Sequence, residues 1–403
     1  MEAIEKSVRY NPFVKGFYKN PYDQYKALRE QDPMHASFMG AWVVTRYEDV
    51  REAINHPLFS SDLRSWKGFE KRYKNKELIA WMLTHSVLNV DDPTHKPLRS
   101  FLKQSFMPKA LSDLAQTIGI NAKNRLDNIE QMDVFDLISE YALAVPLDTI
   151  NDIFGIPEED REQAKEWSTH ISNLIEPLPD ISRLKTANQS IKDFSAYLKN
   201  MLLTTEASGI QEGFLGKIIH TPLKELAKTD DYVLPNLILM FAAAHETTVN
   251  LIGNGLYALL QHPEQLQHLR KNPELMDVAI EEMLRYDSPQ QLAWRSATEK
   301  LVLGGQVIQK GEQVMLLLGA ANRDPAHFEN PNTFDITRKP NQHLSFGQGK
   351  HNCMGSWMAR MQGKIALKAL LERFSTIEMV GEEQWLENIS FRGMSHFPLR
   401  VGK

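Results

Sequence analysis

The longest stretch of regular hydrophobic spacing in the chain runs from position 229 to position 260. Residues that recur at intervals of four and seven are Leu237, Phe241, Thr248, Ile252 and Leu259. This spacing places them on one face of an α-helix. Thr229, followed by two aspartates, suits a helix N-terminus, and Pro235 is expected to bend the helix near that end. The pattern therefore predicts one long helix, the longest in the chain.

Shorter helical and β patterns surround this stretch. Helices are predicted in the first 30 residues and over 47–55, 92–260, 273–285 and 354–374, with breaks near 107, 155, 177 and 209. Strands are predicted at 41–45 and 313–318, and a hairpin with a Gly-Gly turn at 301–308, while Pro57 is expected to end the 47–55 helix. Positions 60–90 are predicted to form a long irregular surface segment, and 322–343 an ordered meander. Without repeats, the chain is predicted to be one domain, 1–403, mainly α with a small β region.

Composition and charge narrow the classes of function. The chain has 403 residues, 42% of them hydrophobic, which is enough to bury a large core, and its net charge of −5 does not suggest a nucleic-acid binder. The first ten residues lack the apolar segment of a signal peptide, and the longest apolar run, near 233–244, falls short of a membrane span. The sequence predicts a cytoplasmic protein without nucleic-acid or membrane partners.

The single cysteine, Cys353, excludes an intrachain disulfide and a zinc cluster built from cysteines. A lone cysteine is more often a small buried hydrophobic residue. Here it lies in the segment Phe-Gly-Gln-Gly-Lys-His-Asn-Cys-Met-Gly, positions 346–355, just before a predicted helix. Glycines let backbone N–H groups approach the sulfur, and a helix N-terminus stabilises a negative thiolate. The segment therefore predicts a thiolate that can bind a metal ion.

Two pairs of polar residues have the spacing of a shared helix face. Glu282 and Arg285 are three residues apart and can pair, although most such pairs are solvated surface bridges. His95 and Arg99 are four residues apart, and both side chains donate hydrogen bonds to anions. Each pair alone is weak evidence of function, and solvation at the surface remains the alternative for each.

In the order and spacing of these motifs the chain resembles the cytochrome P-450 family, in particular its soluble bacterial members. The resemblance extends from position 20 to position 393 and is most specific at the cysteine segment. It implies the fold of that family, with haem b held between the long distal helix and the cysteine loop, and Cys353 as the axial ligand of the iron. Further residues expected to contact the haem on this side are Phe346, Gly347, Gly349, His351 and Gly355.

The resemblance also assigns roles to the other groups. Glu246 and Thr247 match the acid and alcohol of the distal helix that deliver protons during dioxygen reduction. Ala244 stands where the family usually has glycine, so the groove there is expected to be narrower. The residues expected to bind the haem propionates are His95, Arg99 and Arg295. The residues expected to form a buried structural network are Glu282, Arg285 and Arg338.

By the same resemblance an apolar substrate lies over the haem. The expected pocket residues are Leu239, Ala242, Ala243, Leu292, Ala293 and Phe397. The lid segment, residues 60–90, is expected to cover the pocket with Trp66, Phe69, Trp81 and Met82. A basic docking patch for an electron donor is expected at Lys103, Lys350 and Arg360. For both the pocket and the patch, an ordinary core or a solvated surface remains the alternative.

The implied activity is O₂-dependent monooxygenation, in which one oxygen atom enters a C–H or C=C bond of a polyketide, peptide, terpene or fatty-acyl substrate. Because the chain has no glycine-rich dinucleotide motif after a strand, electrons are expected from a separate ferredoxin or flavodoxin and an NAD(P)H-dependent reductase. The protein is expected to be a monomer, with a substrate that is free or tethered to a carrier protein. Two alternatives remain open, an H₂O₂-driven peroxygenase on the same fold and a non-enzymatic haem-bearing recognition protein.

Overall fold

A computed structural model describes residues 8–105, 114–172, 174, 176, 181–221 and 229–402. Helices occupy most of these ranges. Their bounds are α1 Tyr22–Gln31, α2 Tyr47–Asn55, α3 Phe69–Tyr73, α4 Glu77–Thr84, α5 His95–Ser105, α6 Leu114–Ile129, α7 Ala144–Phe154, α8 Arg161–Ser172, α9 Ile181–Ala207, α10 Gly213–His220, α11 Thr229–Gln261, α12 Pro263–Lys271, α13 Met276–Tyr286, α14 Leu318–Ala321 and α15 Ser356–Arg373. In the part of the chain that is described, no helix is long and apolar enough to cross a membrane.

The strands are short and form small sheets. Their bounds are β1 Met34–Ala36, β2 Ala41–Val44, β3 Phe59–Ser60, β4 Phe135–Asp136, β5 Leu292–Ala297, β6 Leu301–Leu303, β7 Gln306–Ile308, β8 Gln313–Leu317, β9 Thr376–Met379, β10 Gln384–Trp385, β11 Met394–His396 and β12 Pro398–Gly402. The largest sheet has the strand order β1-β2-β8-β5-β3. These elements confirm the prediction of a mainly α fold with a small β region.

Helix α11 lies at the centre of the helical body. It packs against α4, α7, α8, α9, α13 and α15, so most of its circumference is buried. Asn236 follows the internal proline of the helix, and its side-chain amide donates to the carbonyls of Tyr232 and His85 at 2.6 and 2.9 Å. The Asn236 side-chain oxygen accepts the Val87 N–H at 2.7 Å. These contacts fix the lid segment to the first turns of α11.

The lid segment is more ordered than predicted. It contains α3 and α4, where the sequence analysis expected irregular structure. Helix α4 forms because Ile79, Met82 and Leu83 are buried in the main core, where they pack with residues of α9 and α11. Residues 8–20 contain only turns and irregular structure, so the helix predicted for the first 30 residues is confined to α1. The breaks predicted at 107–108 and 177–179, and the Thr229 side chain, lie outside the described residues.

Candidate functional site

The cysteine segment folds into a tight loop that ends at the N-terminus of α15. Gly347 and Gly349 have φ angles of 63° and 67°, a conformation that favours glycine. The backbone N–H of Cys353 donates to the carbonyl of Phe346 at 2.8 Å and closes the loop. A Cβ atom on Gly349 would also lie 2.6 Å from the side-chain oxygen of Asn55 in α2. Backbone conformation and close packing together hold the cysteine in place.

The sulfur of Cys353 is surrounded by groups that favour its anion. The residue is exposed, yet enough protein lies around the sulfur for burial to raise the pKa of the thiol. Backbone N–H groups of Gly355 and Ser356 donate to the sulfur and act in the opposite direction, as do the charges of Arg99 and Arg360, but burial is the largest effect and the pKa of the free thiol stays above its usual value. These N–H groups belong to the beginning of α15, where the helix dipole also favours an anion. The arrangement suits a thiolate that binds a metal ion.

Four basic side chains from three parts of the chain lie close together at this loop: His95 and Arg99 of α5, Arg295 of β5, and His351 of the loop itself. The two imidazole rings are 4.2 Å apart between centroids. Burial, followed by the charges of His351 and Arg99, lowers the pKa of His95 to about 4. Burial also lowers the pKa of Arg295 to about 10. Arg99 donates to the carbonyl and side-chain oxygens of Asn352, both at 2.7 Å, and so connects α5 to the cysteine loop.

Asp91 is an acidic member of this group, and the sequence analysis gave it no role. Its carboxylate accepts hydrogen bonds from His351 at 3.2 Å, from Lys350 at 3.1 Å and from Ser60 at 2.5 Å. Burial raises the pKa of Asp91, but hydrogen bonds from His351, Ser60 and Lys350 outweigh it and hold the pKa well below its usual range. Its position just before the His95 helix was the signal that could have identified it.

Some buried polar atoms of the basic group could form hydrogen bonds with a ligand. Among the described residues, the Nε2 atom of His95 and the Nδ1 atom of His351 are buried without a hydrogen-bond partner. Each unsatisfied buried group of this kind costs about 1–3 kcal/mol. Two carboxylates bound here would offset the surplus of positive charge and accept a hydrogen bond from His95. Their negative charge would also favour protonation of the His351 ring, whose Nδ1 could then donate a second one. A thiolate beside a site for two carboxylates fits the iron and the propionates of haem.

One side of α11 carries partly exposed residues in the middle of an otherwise buried helix. Leu239, Ala243 and Thr247 are spaced four apart, so they share that side, and Ala243 is exposed while the other two are half-buried. The Thr247 hydroxyl donates to the Ala243 carbonyl at 3.3 Å. The neighbouring Ala242 is 5% exposed and belongs to the main core. We call Leu239, Ala243 and Thr247 the distal stripe, which offers apolar surface and one hydroxyl.

Glu246 lies next to the distal stripe and is half-buried. Burial raises the pKa of its carboxyl group to about 8, and the negative charge of Glu176 also raises it. A hydrogen bond with Ser172, the last residue of α8, acts in the opposite direction. At neutral pH the carboxyl group is therefore mostly protonated, and it can donate a proton. The contact with Ser172 was not predictable, since it joins residues far apart in the chain.

The Glu282 carboxylate is fully buried and binds both arginines of the predicted network. Arg285 donates to it through two nitrogens at 2.8 Å, and Arg338 donates through Nε at 3.1 and 3.2 Å. The backbone N–H of Asp335 and the side-chain amide of Asn341 add hydrogen bonds at 3.0 and 3.1 Å. Arg285 also donates to the carbonyls of Asn322, Pro331 and Thr333. This network fastens α13 to the meander that precedes the cysteine loop.

The structure separates the expected pocket residues into two groups. Leu239 and Ala243 belong to the distal stripe, and Ala293 shares a face of β5 with Arg295 because side chains alternate along a strand. The others lie elsewhere. Leu292 is on the opposite face of β5, in the same core cluster as the N-terminal aromatic residues. Phe397 is buried, and its ring centroid is 5.7 Å from that of Tyr257. In the lid segment Trp66, Phe69 and Trp81 are half-buried, whereas Met82 is buried.

The expected docking cations also differ from one another. Lys103 is exposed. Lys350 pairs with Asp91 at 3.1 Å, as part of the basic group described above. Arg360 donates to both carboxylate oxygens of Glu281, at 2.6 and 2.8 Å. Only Lys103 of the three is therefore without an ion pair among the described residues.

Comparisons with known proteins identify the family of the chain. The family model described as Cytochrome P-450 matches residues 19–396. The polyketide biosynthesis cytochrome P-450 PksS of Bacillus subtilis is 32% identical over 99% of this chain and 100% of that protein, and the biotin biosynthesis cytochrome P-450 of the same organism is 36% identical over 95% and 96%.

Solved structures give the same result. The BioI cytochrome P-450 in complex with hexadec-9Z-enoic acid ligated acyl carrier protein has a TM-score of 0.89 at 35% identity, over 96% of this chain and 100% of that one. PksS has a TM-score of 0.88 at 32% identity, over 98% and 100%. The resemblance, the fold and the enzyme class predicted from the sequence are confirmed. The chain belongs to the cytochrome P-450 family of monooxygenases, which bind haem and receive electrons from outside the haem domain.

Proposed function

We propose that this monooxygenase oxidises a C–H or C=C bond of an apolar acyl or polyketide chain that is presented by a carrier protein. The distal stripe carries the proposal, because it combines an exposed apolar surface with a hydroxyl and an adjacent protonated acid. Relatives support the same class of substrate, since PksS is named for polyketide biosynthesis and the BioI structure contains an acyl carrier protein. The chain is proposed to act as a single domain, 1–403, and as a cytoplasmic monomer.

The residues of the site are proposed to have separate roles in the reaction. Haem b, bound through the Cys353 thiolate, supplies the activation of dioxygen by two electrons and two protons. His95, Arg99, Arg295 and His351 are proposed to bind its propionates and hold it in one orientation. Glu246 holds a proton on its carboxyl group, and Thr247 directs a hydroxyl toward the same side of α11. The apolar part of the distal stripe binds the substrate chain and excludes water.

The electron donor is proposed to be a separate ferredoxin or flavodoxin, reduced by an NAD(P)H-dependent reductase. It should dock on the cysteine side, because the thiolate loop is there and α11, as the distal helix of the family, is proposed to cover the opposite side of the haem. Lys103 in α5 is the exposed cation available for that contact. The other two expected cations are held in ion pairs, so the docking patch is smaller than the sequence suggested.

The lid segment has the charge expected of a surface that binds an acidic carrier protein. Positions 62–76 contain six basic and two acidic residues, in a chain whose net charge is −5. Lys71 and Lys74 are exposed. This basic run leads directly into α4, which packs on α11, so a carrier bound there would lie near the distal stripe. Complementary charge of this kind speeds association and selects partners.

A substrate titration tests the proposal. A long-chain acyl group is offered as the free acid and as the phosphopantetheine thioester of an acyl carrier protein, while the Soret band reports displacement of water from the iron. We expect the thioester to bind more tightly and to give an oxidised product with ferredoxin, reductase and NAD(P)H. Replacement of both Lys71 and Lys74 with glutamate should weaken binding of the thioester roughly tenfold, which corresponds to about 1.4 kcal/mol, and should leave binding of the free acid unchanged.

Lys26→Glu is the matched control, because Lys26 is exposed on α1, outside the lid segment. Equal binding and turnover of the free acid and the thioester would refute delivery by a carrier. Faster turnover with H₂O₂ alone than with the redox partners would favour a peroxygenase. Absence of both a spectral shift and a product with all acyl probes would refute the substrate class.

A further inference from the structure

Arg360 contacts the residue that closes the cysteine loop. It lies in the first turns of α15, and its guanidinium carbon is 4.4 Å from the centre of the Phe346 ring. The carbonyl of Phe346 accepts the backbone N–H of Cys353 at 2.8 Å. A guanidinium over an aromatic face makes a favourable cation–π contact. Arg360 therefore restrains the loop through Phe346 without a direct hydrogen bond to the sulfur among the described contacts.

Glu281 of α13 fixes the orientation of Arg360. The two side chains form a bidentate pair, with N–O distances of 2.6 and 2.8 Å. His343 also approaches this carboxylate at 3.2 Å, and its ring is 6.0 Å from that of Phe346. Burial raises the pKa of Glu281, but Arg360 and His343 outweigh it and lower the pKa to about 2, so the carboxylate stays ionised. The planar guanidinium is thus held at both its edge and its face.

The charge of Arg360 reaches the sulfur as well. It is one of two guanidinium groups whose positive charge favours the Cys353 thiolate, the other being Arg99. Arg99 donates hydrogen bonds to Asn352, the residue directly before the cysteine in the loop. A fixed cation close to a metal–thiolate bond withdraws electron density from it and favours the reduced metal. Glu281 partly cancels that effect because it carries the opposite charge.

We propose that Arg360, fixed by Glu281 and stacked on Phe346, is a positioning residue that sets the reduction potential of the iron bound by Cys353. The inference rests on haem ligation by Cys353 and gives Arg360 a role other than docking the electron donor. It also accounts for the half-buried Glu281, which the other functions leave unexplained.

The proposal predicts shifts of opposite sign for two substitutions. Arg360→Gln removes the cation, so the ferric state becomes relatively more stable and the reduction potential should fall. Glu281→Gln removes the compensating anion, so the potential should rise. Arg360→Lys keeps the charge but loses the bidentate pair and the planar stacking, and its potential should lie between those of wild type and Arg360→Gln. A general disturbance of the loop would not give reduction potentials in this order.

The chain offers a matched control one turn further along the same two helices. Lys364 of α15 pairs with Asp277 of α13 at 2.7 Å, and within the described part of the chain this pair has no hydrogen bond or ion pair with the cysteine loop. Lys364→Gln and Asp277→Asn should therefore leave the potential unchanged. If these controls shift it as much as the Arg360 and Glu281 variants, the effect is general surface electrostatics and the proposal fails.

The experiment is a spectroelectrochemical titration of the full-length haem-bound protein and each variant. The carbon-monoxide spectrum of each reduced sample shows whether the thiolate is still the ligand. Potentials in the expected order, with thiolate ligation retained, support the proposal. Unchanged potentials, or shifts of the same sign in Arg360→Gln and Glu281→Gln, overturn it. If Arg360→Gln does not bind haem, the comparison of Arg360→Lys with Glu281→Gln decides the matter. A wild-type spectrum without thiolate ligation refutes the ligand assignment instead.

Discussion

Two carboxylic acids of the site respond in opposite ways to partial burial. Asp91 receives hydrogen bonds from three donors, and its pKa is lowered. Glu246 has Ser172 as its donor and Glu176 as a like-charged neighbour, and burial raises its pKa to about 8. The first acid is thus a permanent anion that holds His351 and Lys350. The second retains a proton at neutral pH, which gives it the properties of an acid catalyst.

This difference predicts the pH dependence of turnover. Below pH 8 Glu246 is protonated and can donate, and as the pH rises through about 8 it loses its proton, so coupled turnover should fall. Glu246→Gln cannot release a proton, and product formed per NAD(P)H consumed should drop by about 10²-fold at pH 7, with the fall near pH 8 absent. The measurement is coupling efficiency against pH for the two proteins.

Thr248→Val is the control for disturbance of α11. Its hydroxyl donates to an α11 carbonyl at 3.4 Å, much as that of Thr247 does at 3.3 Å, but Thr248 is buried and faces away from the distal stripe. Coupling should therefore survive Thr248→Val. A Glu246→Gln enzyme with the same pH profile as wild type would show that the proton comes from another group.

The secondary structure shows where local pattern is sufficient to predict an element. Helix α2 and the β6–β7 hairpin were predicted to within a residue, because a proline boundary and a Gly-Gly turn are local signals. Helix α4 was missed because it is stabilised by the burial of Ile79, Met82 and Leu83 in the shared core rather than by a local signal. The hydrophobic spacing of α11 likewise did not show which of its faces stays exposed, since the other faces are buried by helices that are distant in sequence.

That face predicts different outcomes for two adjacent alanines. Ala243 is exposed on the distal stripe, so Ala243→Phe should fill the substrate space, abolish the spectral shift with acyl probes and leave the thermal midpoint nearly unchanged. Ala242 is 5% exposed in the main core, so Ala242→Phe should overpack it and cost about 1–3 kcal/mol of stability. Substrate titration and thermal unfolding measure the two effects. Equal loss of stability in both variants would contradict the placement of the stripe.

On the scale of the whole molecule, the site depends on contacts between distant parts of the chain. Motif spacing identified Cys353, and with it the family, because loop, thiol and helix start are adjacent in sequence. The pairing of Arg360 with Glu281 joins residues 79 positions apart, so no local spacing indicated it. The same holds for Asp91 and His351, which are 260 positions apart. The sequence was thus sufficient to predict Cys353 as the iron ligand, whereas the charged residues around it could be identified only from the folded structure.

The Glu282 network predicts a large and specific loss of stability. Glu282→Gln removes the carboxylate that compensates Arg285, which is fully buried, and Arg338, and it leaves two cations with too few acceptors. Breaking a buried pair in this way costs about 3–5 kcal/mol. Because Arg285 and Arg338 also hold the carbonyls of the meander, the cysteine loop behind it should loosen, and the haem content of the purified protein should fall along with the thermal midpoint.

Glu372→Gln provides the comparison, since Glu372 makes an exposed i,i+4 pair with Lys368 at 3.7 Å. An exposed pair contributes about 0–1 kcal/mol, so this variant should unfold close to the wild-type midpoint and keep its haem. Both variants neutralise one carboxylate, so only burial and the number of hydrogen bonds distinguish them. Equal midpoints and equal haem content in the two variants would mean that the meander is held by its backbone alone, and that the buried arginines do not need Glu282.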